Sequence, residues 1–199
     1  MFVLETSRLA TGFGYNKYMY IALVIVMIVF NAVLVAIVAG MVIHGYFMLR
    51  NRVPYVVLPE GAMAEVSQVL DVRAGDVVYD LGCGDGRVIL NLRQSNSQAR
   101  YIGVENDWTV WVLANLRVRG RAQIVRGEIS GTLLADATRI FVYLGPKMMS
   151  ELEPRFSSEL PHGAKVVSVQ FPLPSRSPDA VVELPQSQSH ARRLYLYNY

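Results

Sequence analysis

The sequence predicts an α/β protein with an open, mostly parallel sheet, preceded by one transmembrane helix. An almost continuous apolar stretch comes first, at residues 19–43. Short β-branched segments then alternate with helical patterns, which favours parallel strands joined by right-handed crossovers. Two strand-like segments near the end, at 181–184 and 193–199, predict a C-terminal antiparallel hairpin.

The apolar stretch predicts an uncleaved membrane anchor. It exceeds the roughly 20 residues that a helix needs to cross a bilayer, and no clear small-x-small cleavage site follows it. We therefore divide the chain into a tail at 1–18, a transmembrane helix at 19–43, a connector at 44–58 and a globular domain at 59–199. Basic residues flank both ends of the stretch, with a weak bias that places the C-terminal domain in the cytoplasm.

Small residues recur every four positions in this stretch, at Ala32, Ala36 and Gly40. Such a stripe allows close contact with another membrane helix. The alternative, which is more common, is that these are ordinary small residues of an anchor. Asn31 has the same two interpretations, a polar contact to a partner or a tolerated polar residue.

The amino-acid composition limits the classes of partner and metal site that we expect. The net charge of +3 and the pI of about 9.1 suit a protein beside an anionic membrane surface and are too small to indicate a nucleic-acid partner. Cys83 is the single cysteine, so we expect neither an intrachain disulfide nor a cysteine metal cluster. The three histidines show no ligand spacing, and we expect no metal site.

The globular domain alternates strands and helices. Pro59 and Glu60 indicate the start of its first helix. Residues 77–79 form the first strand, which is apolar throughout and therefore buried. Further strands are predicted at 101–104, 122–126, 140–144 and 165–169, and helices at 87–92, 108–118 and 148–160. A proline-rich passage after the fifth strand replaces the helix expected there.

A glycine-rich turn follows the first strand, Asp80-Leu81-Gly82-Cys83-Gly84-Asp85-Gly86. Glycines permit a tight turn and a close approach of a ligand to the main chain. The third glycine comes one residue earlier than in the dinucleotide fingerprint. A carboxylate at Asp80 would repel a pyrophosphate but suits a cationic ligand. The turn therefore predicts S-adenosylmethionine, which has no phosphate and carries a sulfonium and an ammonium.

Three acids, Asp80, Glu105 and Glu128, fall at the carboxyl ends of successive strands, the edge where open parallel sheets bind ligands. Glu105 is placed to accept hydrogen bonds from the ribose hydroxyls. Glu128 is placed to accept from the adenine amino group, with the Ile129 N–H opposite a ring nitrogen; alternatively Glu128 is a solvated loop acid. The predicted cofactor-binding residues are Asp80, Gly82, Cys83, Gly84, Gly86, Glu105, Glu128 and Ile129.

Methyl transfer is an in-line displacement at an activated carbon, so the protein mainly aligns the nucleophile and excludes water. Tyr143, at the end of the fourth strand, is the candidate catalytic residue because it would line the reaction centre. The predicted substrate-side residues are Pro54, Tyr55, Phe171 and Pro172. Each of these side chains has the alternative role of packing, and the sequence identifies no catalytic base.

The turn from Asp80 to Gly86 resembles the first motif of class I methyltransferases, and three other segments extend the similarity. These are Val53-Pro54-Tyr55-Val56, the stretch from Ile140 to Met149, and Gly163 to Pro174 with its Phe-Pro-Leu-Pro sequence. Together they resemble the membrane-anchored lysine methyltransferases that act on the ATP synthase c subunit and the adenine nucleotide translocase. The connector departs from that family at Val57 and Leu58.

The resemblance implies a Rossmann-like class I fold and methylation of a lysine on a membrane or membrane-adjacent protein. Two alternatives remain, a small-molecule or lipid methyltransferase and a non-catalytic membrane-anchored binding or assembly protein. The N-terminal residues lack the Arg-rich character of a transit peptide. We therefore expect a prokaryotic plasma membrane with the catalytic domain in the cytoplasm, and the mitochondrial inner membrane is the alternative.

Overall fold

The computed structural model describes residues 17–50, 58, 60–184 and 191–199. The chain divides into two compact units between Arg52 and Val53. We describe the two units separately.

The first unit contains one long helix, α1 (Lys17–Arg50), which extends beyond the predicted 19–43 at both ends. Its segment Lys17–Tyr46 is long and apolar enough to cross a membrane. Within α1, the Asn31 side-chain amide donates to the Met27 carbonyl at 2.8 Å. The polar group that interrupts the apolar stretch is thus hydrogen-bonded inside its own helix.

The second unit is a seven-stranded sheet with the order β3-β2-β1-β4-β5-β7-β6. Its strands are β1 (Val77–Leu81), β2 (Arg100–Glu105), β3 (Gln123–Arg126), β4 (Arg139–Val142), β5 (Lys165–Val169), β6 (Ala180–Glu183) and β7 (Arg193–Asn198). β1 to β5 pair in parallel, whereas β7 is antiparallel to both β5 and β6. The predicted fold class, including the closing hairpin, is confirmed.

Helices cover both faces of this sheet. They are α2 (Met63–Leu70), α3 (Arg87–Ser95), α4 (Trp108–Val118) and α5 (Pro146–Glu159). One apolar cluster contains buried residues of α2, α3 and α4, and a second contains those of α5. The chain leaves β1 toward β2 on one side and later returns to pair β4 on the other. This reversal opens a crevice at the carboxyl ends of β1 and β4, where open α/β sheets bind ligands.

Several boundaries near that crevice differ from the predictions. β1 continues to Leu81, two residues beyond the predicted 77–79, so Asp80 lies within the strand. The fourth strand ends at Val142, where its pairing with β1 ends at Leu81, so Tyr143 and Leu144 lie beyond it. α5 then begins at Pro146 rather than at 148, because proline is pre-set for the first helical position. At the start of the domain, Glu60–Ala62 forms a short 3₁₀ helix, and α2 begins only at Met63.

We predict that Gly103→Ala destabilises the protein. A Cβ on Gly103, in β2, would lie 2.7 Å from Cys83 Sγ and 2.7 Å from Ile89 Cδ1. Overpacking of this kind costs about 1–3 kcal/mol, and chemical unfolding measures it. The matched control is Gly127→Ala, since a Cβ there would meet nothing within 4 Å. Equal unfolding free energies for the two variants would contradict this packing.

Candidate active site

The carboxyl edge of the sheet holds the three predicted acids. Asp80 is the fourth residue of β1 and is buried, while Glu105 ends β2 and is half-buried. Glu128 follows β3 by two residues and is exposed. Because β1, β2 and β3 are parallel neighbours, the three acids lie in a row along one edge. The row passes from a dry environment at Asp80 to solvent at Glu128.

The Asp80 carboxyl is buried beside other acids. Burial, together with the nearby charges of Glu105 and Asp85, raises its pKa to about 8. Its Oδ2 atom is buried and has no hydrogen-bond partner among the residues that the structure describes. A buried carboxylate is costly unless it is paired. The arrangement therefore fits a ligand that brings a positive charge or a hydrogen-bond donor.

The glycine turn is fastened to β2 by its main chain. Gly82 and Cys83 donate their N–H groups to the Val104 carbonyl at 2.9 and 3.0 Å. Gly84 donates to Glu105 Oε2 at 3.0 Å. These bonds fix the shape of the turn.

Two glycines of the turn are required for different reasons. Gly82, with a φ of +81°, is exposed, and a Cβ there would lie 3.1 Å from Leu144 Cδ2. Gly86, with a φ of +77°, lies under α4, and a Cβ there would lie 3.0 Å from Val118 Cγ1. Gly82 thus keeps the main chain accessible, whereas Gly86 lets α3 and α4 pack closely.

Cys83 is buried, and its thiol packs against Gly103 in β2. Burial raises the pKa of this thiol, so it stays protonated and is a poor nucleophile. The side chain is directed into the core, so any contact of Cys83 with a ligand would come from its main chain.

Glu105 links the turn to the start of α4. Its Oε2 accepts from Gly84, and its Oε1 accepts from the Asp107 N–H at 2.9 Å. Asp107 in turn caps α4, since its side chain accepts from the N–H groups of Thr109 and Val110 at 2.8 and 3.0 Å. Burial raises the pKa of Glu105, and the backbone hydrogen bonds partly oppose that shift. Asp107 was not among the predicted site residues, although an aspartate just before a helix is a common capping signal.

Asp85 fastens the same turn to two helices. Its buried carboxylate accepts from Arg87 Nη2 at 2.7 Å and also pairs with Arg117 of α4. Burial pushes the pKa of Asp85 upward, but Arg87 and Arg117 hold it below its ordinary value. Asp85 is therefore a charged residue that fixes the turn, and its charge is paired by two arginines of the protein itself rather than by a ligand. No sequence pattern indicated Arg117.

The segment that carries Glu128 and Ile129 is held from below by α5. Residues Ile129–Gly131 form a 3₁₀ turn, closed by the Gly131 N–H donating to the Glu128 carbonyl at 3.2 Å. Arg155 of α5 donates to the Ile129 carbonyl at 2.9 Å and also to that of Thr132. Glu159 holds the Arg155 guanidinium through two bonds of 2.6 and 2.8 Å. Neither member of this pair was predicted, although their i, i+4 spacing would have indicated it.

The sequence predicts that Glu128 and Ile129 contact the adenine of the cofactor, and Arg155 holds their segment by charged hydrogen bonds to two of its carbonyls. We therefore expect Arg155→Ala to weaken S-adenosylmethionine binding about tenfold. Titration calorimetry measures the affinity. Glu159→Gln leaves Arg155 in place and should cost less than Arg155→Ala. If Arg155→Ala lowers only the unfolding free energy and leaves affinity unchanged, the Glu128 segment does not contact the cofactor.

The predicted reaction-centre residues follow β4 and β5. Tyr143 comes directly after β4 and is half-buried, and burial raises the pKa of its phenol. After β5, Phe171 is half-buried and Pro172 is exposed. β4 and β5 are parallel neighbours, so all three residues lie at the same edge as the acids. Pro54 and Tyr55 lie outside the described residues.

The proline-rich segment after β5 is a fixed turn. Ser168 donates its hydroxyl to the Phe171 carbonyl at 2.6 Å, and the Leu173 N–H donates to the Tyr197 hydroxyl at 2.8 Å. Gln170 adopts a φ of +68°, which is uncommon for a side chain other than glycine. Non-glycine residues in this region cluster at functional sites. Gln170 had no signal in the sequence.

Leu58 lies in the core. It is 3% exposed and belongs to the same apolar cluster as α2, α3 and α4. Its large apolar side chain, one of the two departures from the family connector, therefore serves packing.

Comparisons with known proteins agree with this geometry. Residues 80–180 match the family described as the ANTKMT methyltransferase domain. The chain belongs to this family. It is 34% identical over 151 residues to a protein-lysine N-methyltransferase of Saccharolobus islandicus, covering 73% of this chain and 93% of that protein.

Two further comparisons extend this result. The mouse adenine nucleotide translocase lysine N-methyltransferase is 39% identical over 140 residues, which cover 67% of this chain and 60% of the mouse protein. Among solved structures, an RNA methyltransferase of Salinibacter ruber in complex with S-adenosyl-L-homocysteine superposes with a TM-score of 0.65 and 26% identity. That match covers 72% of this chain and 93% of the other.

This member of the ANTKMT methyltransferase family is an S-adenosylmethionine-dependent methyltransferase. The site fits the cofactor on its own chemistry. Asp80 Oδ2, which has no hydrogen-bond partner among the described residues, suits the cofactor's positive charge, and the exposed Gly82 leaves the main chain accessible.

Proposed function

We propose that this chain transfers a methyl group from S-adenosylmethionine to a lysine of a membrane or membrane-adjacent protein. The observation that carries the proposal is the 34% identity to a protein-lysine N-methyltransferase over 93% of that protein's length. Two relatives support a membrane-associated substrate, since one is named for the adenine nucleotide translocase and the other for the c subunit of ATP synthase.

Each cofactor residue is proposed for one task. Asp80 faces the positively charged part of the cofactor, and Glu105 accepts from the ribose hydroxyls through lone pairs that Gly84 and Asp107 leave available. Gly82, Gly84 and Gly86 shape the turn, and Cys83 contributes main chain only. Glu128 and Ile129 take the adenine.

Tyr143 is proposed to line the methyl-transfer centre together with Phe171 and Pro172. A lysine attacks only as the neutral amine. Because burial raises the pKa of Tyr143, its phenol is neutral at physiological pH and orients the amine by a hydrogen bond instead of removing its proton. The lysine therefore loses its proton to another group or to water as it enters the site.

We predict that Tyr143→Phe lowers kcat about tenfold or more, since one oriented hydrogen bond in the reaction is lost, and that it leaves cofactor affinity unchanged. Steady-state kinetics on a lysine substrate measure the effect. Tyr101→Phe is the control, because that hydroxyl shares its one proton between the Leu92 and Asn96 carbonyls, away from the proposed reaction centre. The control should lose stability and keep kcat; a kcat unchanged in Tyr143→Phe would remove Tyr143 from the reaction.

The apolar segment of α1 is proposed to anchor the enzyme in a prokaryotic plasma membrane, with the domain in the cytoplasm where the cofactor is made. The mitochondrial inner membrane is the alternative. An anchor confines the domain to the plane that holds its substrate and so raises the local substrate concentration. Ala32, Ala36 and Gly40 are proposed as a contact to another membrane helix.

The deciding experiment incubates the full-length enzyme and membranes with methyl-labelled S-adenosylmethionine and separates protein, lipid and RNA. Label in protein, located on lysine by mass spectrometry and absent with Asp80→Asn, is the expected result. Label in lipid or RNA alone would overturn the lysine proposal and leave the methyltransferase activity intact. A carbonate wash then tests the anchor, because a spanning protein stays with the membrane.

A further inference from the structure

The outward face of α4 is apolar, where the surface helix of a soluble domain is ordinarily polar. Trp108, Leu113 and Leu116 are 57%, 47% and 67% exposed. At about 100° per residue they fall, together with the half-buried Val112, on the side opposite the buried Ala114 and Val118. We call this surface the α4 patch, and it consists of Trp108, Val112, Leu113 and Leu116.

The rim of the α4 patch is basic. Residues 108–126 contain four arginines and no Asp, Glu or Lys. Arg117 is partly engaged by Asp85, whereas Arg119 and Arg121, just after the helix, are exposed. Arg121 donates through Nε to the Val118 carbonyl at 3.2 Å, which holds its guanidinium close to the end of the helix. The surface therefore combines an apolar centre with positive charge at the C-terminal end of α4, while the nearest acid in the chain, Asp107, caps the opposite end of the helix.

We propose that the α4 patch docks the methyltransferase domain on an anionic lipid surface. Tryptophan and leucine enter the boundary between headgroups and acyl chains, while arginines pair with anionic headgroups. The arginines at the rim decide which partner the α4 patch fits. A second copy of the chain would present the same arginines to one another, and a neutral protein face would leave them unpaired. A negatively charged bilayer satisfies both the apolar centre and the basic rim.

The position of the patch gives docking a consequence for the enzyme. Trp108 lies three residues beyond Glu105, and its neighbour Asp107 donates to the Glu105 carboxylate at 2.9 Å. One end of the patch therefore lies at the carboxyl edge of the sheet, beside the cofactor residues. Docking would hold that edge near the membrane surface and favour lysines that lie there. This consequence rests on the proposed function, but the docking itself does not.

The tryptophans provide a direct test in the full-length chain. The sequence has two, Trp108 and Trp111, both in α4 and neither in α1. The protein is reconstituted into vesicles of brominated phosphatidylcholine, with and without about 30% phosphatidylglycerol, and quenching of tryptophan fluorescence is measured. We expect strong quenching only with the anionic lipid. Trp108→Phe should abolish it, because Trp111 is half-buried and donates to the Ile124 carbonyl at 3.1 Å.

Variants separate the contributions. Arg119→Gln with Arg121→Gln should reduce the equilibrium constant for docking by about fivefold per arginine, and high salt should act in the same direction. Leu113→Gln with Leu116→Gln should also abolish quenching and, being at exposed positions, should leave cofactor binding unchanged. Quenching no greater than that of Trp108→Phe, or equal in neutral and anionic vesicles, would overturn the proposal. So would a dimer, seen by sedimentation in detergent, that the leucine variants dissociate without any change in quenching.

Discussion

Asp80→Asn will weaken S-adenosylmethionine binding by about 100-fold or more, and it will stabilise the cofactor-free protein at pH 8. We propose that Asp80 faces the positive charge of the cofactor, so the first effect follows from breaking a buried ion pair, which costs about 3–5 kcal/mol. The second follows because the carboxyl is buried, lies near Glu105 and Asp85, and has an oxygen without a partner among the described residues. Titration calorimetry and chemical unfolding measure the two effects.

The pH dependence of stability has a definite sign. The pKa of Asp80 is raised from 3.8 to about 8 in the folded protein. Between these values the folded state keeps a proton that the unfolded state has lost. The free energy of unfolding of the wild type therefore falls as the pH rises from about 4 to 8 and levels off above that. Asp80→Asn lacks this slope and matches the wild type only at low pH.

Cofactor binding should be linked to the proton on the Asp80 carboxyl. At pH 7 the cofactor-free protein keeps this proton, and binding of a cationic cofactor should release about one proton from Asp80. Calorimetry in buffers of different ionisation enthalpy measures the release. Asp136→Asn is the control, because Asp136 accepts from Tyr79 at the opposite edge of the sheet at 3.0 Å. Equal proton release in wild type and Asp80→Asn would show that the cofactor's charge lies elsewhere.

The sequence was sufficient where local chemistry decides the structure. The turn from Asp80 to Gly86 combines an acid with glycines that take positive φ angles, and this combination indicated the cofactor before any contact was known. Strand β5 and helix α4 were predicted at their observed bounds, since Gly163 before β5 and Asp107 before α4 set their starts. The end of strand β4 was predicted two residues too late, at 144 rather than at Val142, because it depends on where β1 ends.

Contacts between segments that are distant in the chain could not be predicted from the sequence. The bonds from Arg155 to the segment after β3 join residues 26 and 23 positions apart. Arg117 reaches Asp85 across 32 positions. The close approach of Cys83 to Gly103 depends on the pairing of β1 with β2. Each follows from the strand order, which the alternation of strands and helices restricts without fixing.

Glu105→Gln should weaken binding of both S-adenosylmethionine and 5′-methylthioadenosine about tenfold or more, because the ribose hydroxyls lose a charged acceptor. Methylthioadenosine keeps the ribose and adenine and lacks the amino acid. Asp80→Asn should therefore change the affinity for methylthioadenosine by no more than about twofold, while it greatly reduces the affinity for S-adenosylmethionine. The two variants and two ligands together separate the ends of the cofactor. Glu128→Gln, at the exposed position proposed for the adenine, should have a smaller effect than Glu105→Gln, and Asp136→Asn at the opposite edge of the sheet serves as the control.

Glu105→Gln also tests how the turn is built. Glu105 accepts from the N–H groups of Gly84 and Asp107, and a glutamine would set its own NH2 against one of these donors. We therefore expect about 1–3 kcal/mol of lost stability in the cofactor-free protein, together with the weaker binding. If binding weakens for S-adenosylmethionine and not for methylthioadenosine, Glu105 acts on the amino-acid end. If stability alone falls, Glu105 shapes the turn and the ribose is held by other groups. If the protein loses stability and also loses affinity equally for the two ligands, the Glu105 carboxylate has both roles. It then fixes the turn by accepting from main-chain N–H groups and binds the ribose with its remaining lone pairs.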